Sequence, residues 1–204
     1  MKIYVIGIGL IGGSMGLDLK KTLNDIEIIG IDTNKIHLDD AHSLGIIDRI
    51  GSLESIIEAD RVILSIPVKE SMHLLPELLD KIHADTLIWD VGSTKGQLCK
   101  LISSHPKRDQ FLAAHPIAGT EFSGPQAAHK GLFQGKPQIL CESNKTRPDL
   151  LLWAKQTFRQ MGMYLRFMEA EEHDKHMAYV SHLSHISSFM LGKTVLEKEE
   201  DENN

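Results

Sequence analysis

A histidine closes a short apolar run, Phe111-Leu112-Ala113-Ala114-His115-Pro116, and a glycine-containing stretch follows it, Ile117-Ala118-Gly119-Thr120-Glu121. The run reads as a buried strand. In an open α/β sheet, ligands bind beyond the carboxyl ends of the strands. A histidine there is a candidate acid or base, because its unperturbed pKa lies near neutrality. On these residues alone the balance is even between a catalytic group and a strand cap.

A second group of residues is built for phosphate. Gly7-Ile8-Gly9-Leu10-Ile11-Gly12 follows a β-branched run and opens a helical stretch, and Asp32 stands 20 residues after Gly12 at the end of the next apolar run. That spacing is the dinucleotide-binding fingerprint in its proper context. Gly7 permits the tight turn, Gly9 lets the backbone approach a pyrophosphate, and Gly12 lets helix and sheet pack closely. The N–H groups of Leu10 and Ile11 open the helix, whose positive end faces the phosphates. Asp32 is expected to hydrogen-bond the adenosine ribose and to repel a 2′-phosphate. Thr33 and Asn34 supply no arginine to receive one, although Lys35 could neutralise part of that charge. NAD is therefore expected over NADP. Ser65 and Pro67, at the end of another apolar run, are expected to line the same cleft with their backbone.

The elements that position these groups are legible from periodicity. Candidate strands are 3–6, 26–31, 62–66, 87–91, 111–114 and 138–141, and candidate helices are 12–23, 34–44, 71–82 and 95–103. Several strands lack polar alternation, as strands covered on both faces should. The order βαβα implies an α/β fold, a doubly wound and mostly parallel sheet. Residues 147–161 read as a further helix, 164–168 as one more strand, and everything from Glu169 as helical. Residues 177–191 contain no Asp, Glu, Lys or Arg, so that helix expects burial from several directions. Little chain remains to cover it, and the acidic run 197–202 reads as solvated. The helical part is therefore expected to be incomplete: either a partner chain covers this helix, or the sequence is a fragment.

Four histidines in this helical part raise the question of a metal. His173 and His176 lie about 60° apart around a helix, as do His182 and His185, but the two pairs point in opposite directions. One ion cannot gather them, and no metal site is expected. Ser181 and His185, four residues apart, share a face that can offer a hydroxyl and an imidazole to one ligand. The composition of the 204-residue chain, 42% hydrophobic and 25% charged with a formal charge of −6, fits a globular protein and offers no basic surplus for nucleic acid. Cys99 and Cys141 have no metal or redox spacing and read as free thiols. With no leader segment or membrane-length apolar run visible, a cytoplasmic location is expected.

Three segments together carry a resemblance: residues 7–14, the turn Asp90-Val91-Gly92-Ser93-Thr94-Lys95-Gly96, and His115 to Glu121. With His173-Asp174 and Ser181-His182-Leu183-Ser184-His185, they make the chain resemble the prephenate dehydrogenases of tyrosine biosynthesis, to about Leu191. The resemblance implies a Rossmann-like domain over 1–168, then the start of a helical substrate and dimerisation domain over 169–204. It implies NAD-dependent oxidative decarboxylation of prephenate to 4-hydroxyphenylpyruvate, in a homodimer. By the same resemblance, His115 is the acceptor for the ring hydroxyl, and Ser93 holds the histidine and the nicotinamide side in register. Ser93 also reads as an N-cap for the helix near Lys95. Thr120, Ser181 and His185 are implied as substrate contacts, with Glu121 as a gate. His173 and Asp174 are left between the nicotinamide end, the domain junction and an ordinary charged helix start. An arginine that such enzymes carry further on has no counterpart here, since the last one in the chain is Arg166. Two rival readings stand beside this: an arogenate dehydrogenase, and a nucleotide-binding module without catalysis.

Overall fold

The computed structural model describes residues 1–182, with side chains through Val180. The chain alternates β1 (Lys2–Ile6), α1 (Leu10–Thr22), β2 (Glu27–Ile31), α2 (Lys35–Ser43), β3 (Arg49–Ile50), β4 (Arg61–Leu64), α3 (Val68–Lys81), β5 (Leu87–Asp90) and α4 (Gly96–Leu101). It continues through β6 (Phe111–Pro116), β7 (Pro137–Cys141), α5 (Pro148–Gln160), β8 (Tyr164–Met168), α6 (Ala170–Met177) and a π-helical turn, Ala178–His182. The strands form one sheet in the order β3-β2-β1-β4-β5-β6-β7-β8. All neighbouring pairs are parallel except β6 with β7.

Alternation along each strand divides the core between the two faces of the sheet. Ile3 and Val5 of β1 pack with Met15 and Leu19 of α1 and with Ala154 and Phe158 of α5. Tyr4 and Ile6 point the other way, into a cluster with Leu75, Leu78 and Leu79 of α3 and Leu98 of α4. Both faces are covered, which is why these strands read as continuous apolar runs. The order reverses between β1 and β4, and such a switch point opens a crevice beyond the strand ends.

The expected strands and helices form at their places, with three instructive differences. Helix α1 begins at Leu10, because Gly9 serves as its N-cap. Strand β3 has only two residues, too few to carry a pattern. Strand β6 runs to Pro116, so His115 lies within it. The cause is a change of partner. β6 pairs with β5 only at Phe111 and Leu112, then pairs with β7 from Ala113 to Pro116.

That change leaves the β5-side backbone groups of Ala114 without a strand. The Ala114 N–H donates to Asp90 Oδ1 at 3.2 Å, and its carbonyl accepts from Lys95 Nζ at 2.9 Å. Asp90 and Lys95 also pair with each other, and both are buried, at 1% and 0% exposure. A buried backbone group must find a partner. Here a buried ion pair takes the place of a strand ladder, and the sheet opens beneath His115.

Candidate active site

The glycine turn after β1 has the geometry that its spacing predicts. Gly7 has φ +92°, and a Cβ on it would lie 2.2 Å from the Ser65 carbonyl oxygen. A Cβ on Gly12 would lie 2.2 Å from the Gly7 carbonyl oxygen and 3.0 Å from the Ser65 side chain. Both glycines therefore let β1, α1 and the end of β4 meet. Gly9 differs, since a Cβ there would meet nothing within 4 Å. Its space is open, where a pyrophosphate would pass. No side chain caps α1 at Gly9, so the first-turn N–H groups, Leu10 and Ile11 among them, face that space. These features fit a dinucleotide.

Asp32 sits at the far side of the turn. Its Oδ2 accepts from the Ile8 N–H and its Oδ1 from the Asn34 N–H, both at 2.8 Å. One lone pair on each oxygen remains for a ribose. His37 Nδ1 lies 3.8 Å from Oδ2, a neighbour that sequence reasoning missed because it comes from the first turn of α2. Ser65 bounds the cleft from β4, and Pro67 stands before α3 as its N-cap.

A cavity of about 640 Å3 lies at the ends of β5 and β6. Ser93, Thr94, His115, Lys136 and Asp174 give it a polar lining, and Ile117, Leu132 and Met177 give it an apolar wall. This size and mixture suit a small organic ligand. His115 Nδ1 lies 2.9 Å from His173 Nε2, with the two rings edge to face. His173 is fully buried, and its Nδ1 lies 2.8 Å from Asp174 Oδ1. Asp174 in turn accepts the N–H groups of Lys95 (2.7 Å) and Gly96 (2.8 Å).

Asp174 is therefore the N-terminal cap of α4, supplied from a helix 78 residues away. This corrects the expectation that Ser93 caps α4, because Asp174 takes the open N–H groups. His115 Nδ1 meets His173. Ser93 does line the cavity beside His115. The position of His173-Asp174 beside the catalytic candidate had no local signal, since it depends on α6 crossing over α4.

The electrostatics are one-sided. Burial, reinforced by the nearby Lys95 charge and by His173, pushes the His115 pKa down to about 3, against a smaller opposing pull from Asp174. His115 is thus neutral over the physiological range. Burial works to raise the Asp174 carboxyl, but hydrogen bonds from His173, Gly96 and Lys95 outweigh it and hold the group below the usual carboxylate range. Cys99 and Cys141 are buried free thiols, pushed up to about 12 chiefly by burial, so neither is a nucleophile at neutral pH.

Of the remaining expected residues, Thr120 is not gathered with these. Thr120 is exposed, and its hydroxyl accepts from the Phe122 N–H at 3.2 Å. The cavity lining stops at Gly119, so Thr120 and Glu121 stand outside it. Ser181 lies in the π-helical turn, whose Ala178 and Val180 border the cavity. His185 lies outside the described residues.

Lys136 is a cavity residue that sequence reasoning missed. It comes from the loop before β7, and nothing in its surroundings, Gln134-Gly135-Lys136-Pro137, marks it as functional.

Comparison with known proteins follows this geometry closely. A family profile described as "Prephenate dehydrogenase, nucleotide-binding domain" matches residues 15–166, and one described as "Prephenate dehydrogenase, dimerization domain" matches 169–204. A prephenate dehydrogenase of Bacillus subtilis is 37% identical over 176 residues, covering 84% of this chain and 47% of that protein. One of Lactococcus lactis is 33% identical over 180 residues, covering 85% and 48%. The chain thus spans about half the length of these curated relatives. The crystal structure of A. aeolicus prephenate dehydrogenase, in complex with hydroxyphenyl propionate and NAD+, superposes with a TM-score of 0.86 at 32% identity, covering 97% of this chain and 70% of that one. Synechocystis arogenate dehydrogenase superposes at 0.81 with 27% identity, covering 95% and 69%.

Proposed function

The chain belongs to the prephenate dehydrogenase family, and from that premise we propose that it serves the NAD-dependent oxidative decarboxylation of prephenate to 4-hydroxyphenylpyruvate. The observation that carries the reading is His115. It is a neutral imidazole in the wall of a ligand-sized cavity, on a sheet whose switch point carries an open dinucleotide cradle.

The cofactor is NAD. Leu10, Ile11 and the turn from Gly7 to Gly12 would hold its pyrophosphate, with Asp32 on its ribose. When bound, it supplies an acceptor for the hydride on the carbinol carbon. The chain's own residues do the rest. His115 accepts the proton of the ring hydroxyl, which it can do because burial and Lys95 keep it unprotonated. Ser93 and Thr94 offer hydroxyls at the same wall, and Lys136 offers a cation to a substrate carboxylate. The apolar side holds the ring and limits water. Aromatisation with loss of CO2 makes the step irreversible.

Ser181, His185 and Thr120 are proposed as further substrate contacts from the helical side. Domain organisation is proposed as a dinucleotide-binding unit over 1–168 and a helical unit beginning at 169. A homodimer is proposed as well. It is supported by the description of the second matching profile and by the exposure of Tyr179 (73%) and Val180 (58%). No helix among the described residues is long and apolar enough to cross a membrane. Arogenate is the second candidate substrate, favoured by the Synechocystis likeness. The test is NADH formation with each substrate in turn. Prephenate-dependent absorbance growth that is lost in His115→Asn supports the reading. Turnover unchanged in that variant, or none with either substrate, rejects it.

A further inference from the structure

The cavity histidine raises a chemical difficulty. A base that burial makes reluctant to carry charge must still take a proton from a hydroxyl. The side chains behind it offer a resolution, and they stand in a line of contacts: His115 Nδ1 to His173 Nε2 at 2.9 Å, then His173 Nδ1 to Asp174 Oδ1 at 2.8 Å.

We propose that Asp174 and His173 form a relay that fixes the tautomer of His115 and receives the substrate proton, so that the positive charge comes to rest on His173. The proposal rests on the dehydrogenase reading for its substrate, but its structural half does not.

The tautomer follows from the acceptor at the end of the line. Asp174 is ionised at neutral pH, and its oxygens only accept. His173 must therefore carry hydrogen on Nδ1. In the neutral ring, Nε2 is then a bare lone pair. His115 must donate to that lone pair from its own Nδ1, which leaves its Nε2 bare. His115 thus rests as an acceptor at the cavity without any contact to a substrate. A carboxylate that orients one imidazole is a familiar arrangement. Here the orientation passes through a second imidazole.

The proton's path balances along the same line. The substrate O–H bond breaks, its electron pair stays on oxygen, and the proton bonds to His115 Nε2. The His115 Nδ1–H bond then breaks, its pair returns to Nδ1, and the proton bonds to His173 Nε2. His115 ends neutral with its hydrogen moved to Nε2. His173 ends as an imidazolium whose Nδ1–H faces the Asp174 carboxylate. The surrounding charges favour that location. Lys95, near His115, opposes a cation there, and its own ammonium is paired with Asp90 and the Ala114 carbonyl. Of the charges that act on His115, Asp174 alone attracts a cation, and it is in contact with His173.

His173 and Asp174 are positioning residues, since neither need touch the substrate hydroxyl. A structural role alone would not control which nitrogen of His115 carries hydrogen. Long-range proton–nitrogen spectra of the protein labelled at histidine read this directly, without turnover. The expected result is hydrogen on Nδ1 of His115 and none on Nε2. In His173→Leu this preference is lost. In His173→Gln the amide oxygen can still accept from Nδ1, so the tautomer persists, but no proton can be stored. Turnover in His173→Gln should fall by about 10²–10⁴ with little change in the KM for NAD. Hydrogen found on Nε2 of resting His115 overturns the relay. Wild-type turnover in His173→Gln overturns the proton transfer and leaves only the orientation. If wild type shows the expected tautomer but no turnover with prephenate or arogenate, the dehydrogenase reading fails and the relay is confined to setting the tautomer. His173→Gln also covers the case in which His173→Leu does not fold.

Discussion

Removing the Lys95 ammonium tests whether the buried ion pair stands in for a missing strand ladder. Lys95→Met leaves the Asp90 carboxylate buried with only the N–H groups of Gly92 (3.0 Å) and Ala114 (3.2 Å). Breaking a buried pair in this way costs about 3–5 kcal/mol. The Ala114 carbonyl also loses its donor, at about 1–3 kcal/mol for a buried orphan. The two costs overlap, because both arise from one lost ammonium, so a loss of about 4–6 kcal/mol is expected. For a chain of this size that is a fall of roughly 10–20 °C in melting temperature. The informative variant is the double one, Asp90→Leu with Lys95→Met. An ordinary buried ion pair can be replaced by apolar residues at little cost. Here the replacement leaves both the N–H and the carbonyl of Ala114 unpartnered, at about 1–3 kcal/mol each. The double variant should therefore remain about 2–6 kcal/mol less stable than wild type in urea unfolding. A double variant as stable as wild type refutes the ladder argument, whatever the single variant does.

Four further outcomes follow from the same geometry. His115 has a folded pKa of about 3 against an ordinary 6.5, so the unfolded chain takes up its proton first. Its contribution is therefore complete above about pH 6.5 and declines as pH falls toward 3, by an amount of order 5 kcal/mol in all. Urea unfolding of wild type and His115→Asn across this window should show a shallower decline in the variant, and equal slopes would count against it. Gly9→Ala should fold like wild type but bind NADH at least tenfold more weakly, because its methyl occupies open ligand space. Gly12→Ala should lose stability too, by about 1–3 kcal/mol, since its Cβ meets backbone. Unimpaired NADH titration of Gly9→Ala would refute the cradle. Lys136→Gln should raise the KM for prephenate about tenfold, near the 1.4 kcal/mol of one charge-assisted contact, and leave the KM for NAD unchanged. An unaltered prephenate KM would remove Lys136 from substrate recognition.

What the sequence shows and what it hides divide along the range of the interactions. The dinucleotide turn is local: Gly7, Gly9 and Gly12 act on backbone within one βαβ unit, so spacing alone locates them. Alternating burial in β1 and β2 is equally local. The change of partner by β6 is not. It depends on β7 arriving antiparallel after a long loop, and Pro137 to Cys141 carries no sign of direction. Asp90 and Lys95 therefore look like an ordinary strand end and helix start. Ser93 was the natural cap by adjacency, and Asp174 displaces it from a distance. The histidine at 173 had a plausible neighbour in Asp174 but no indication of His115.

These non-local features have one origin. Where β6 leaves β5, the sheet loses a ladder, and the opening that results is also the place where His115 meets the cavity. Asp90 and Lys95 close the backbone account of that opening. In doing so they bring a cation close to His115 and help keep it unprotonated. Asp174 closes a second account, the open end of α4, and its remaining capacity orients His173. Each carboxylate thus has a structural partner on one side and a consequence for His115 on the other. Substitutions at Asp90, Lys95, His173 or Asp174 should accordingly alter stability and the state of His115 together, whereas a substitution at Lys136 should separate recognition from folding. Nitrogen shifts of His115 followed against melting temperature across the five positions would set Lys136 apart from the other four, and a single common trend would contradict this division.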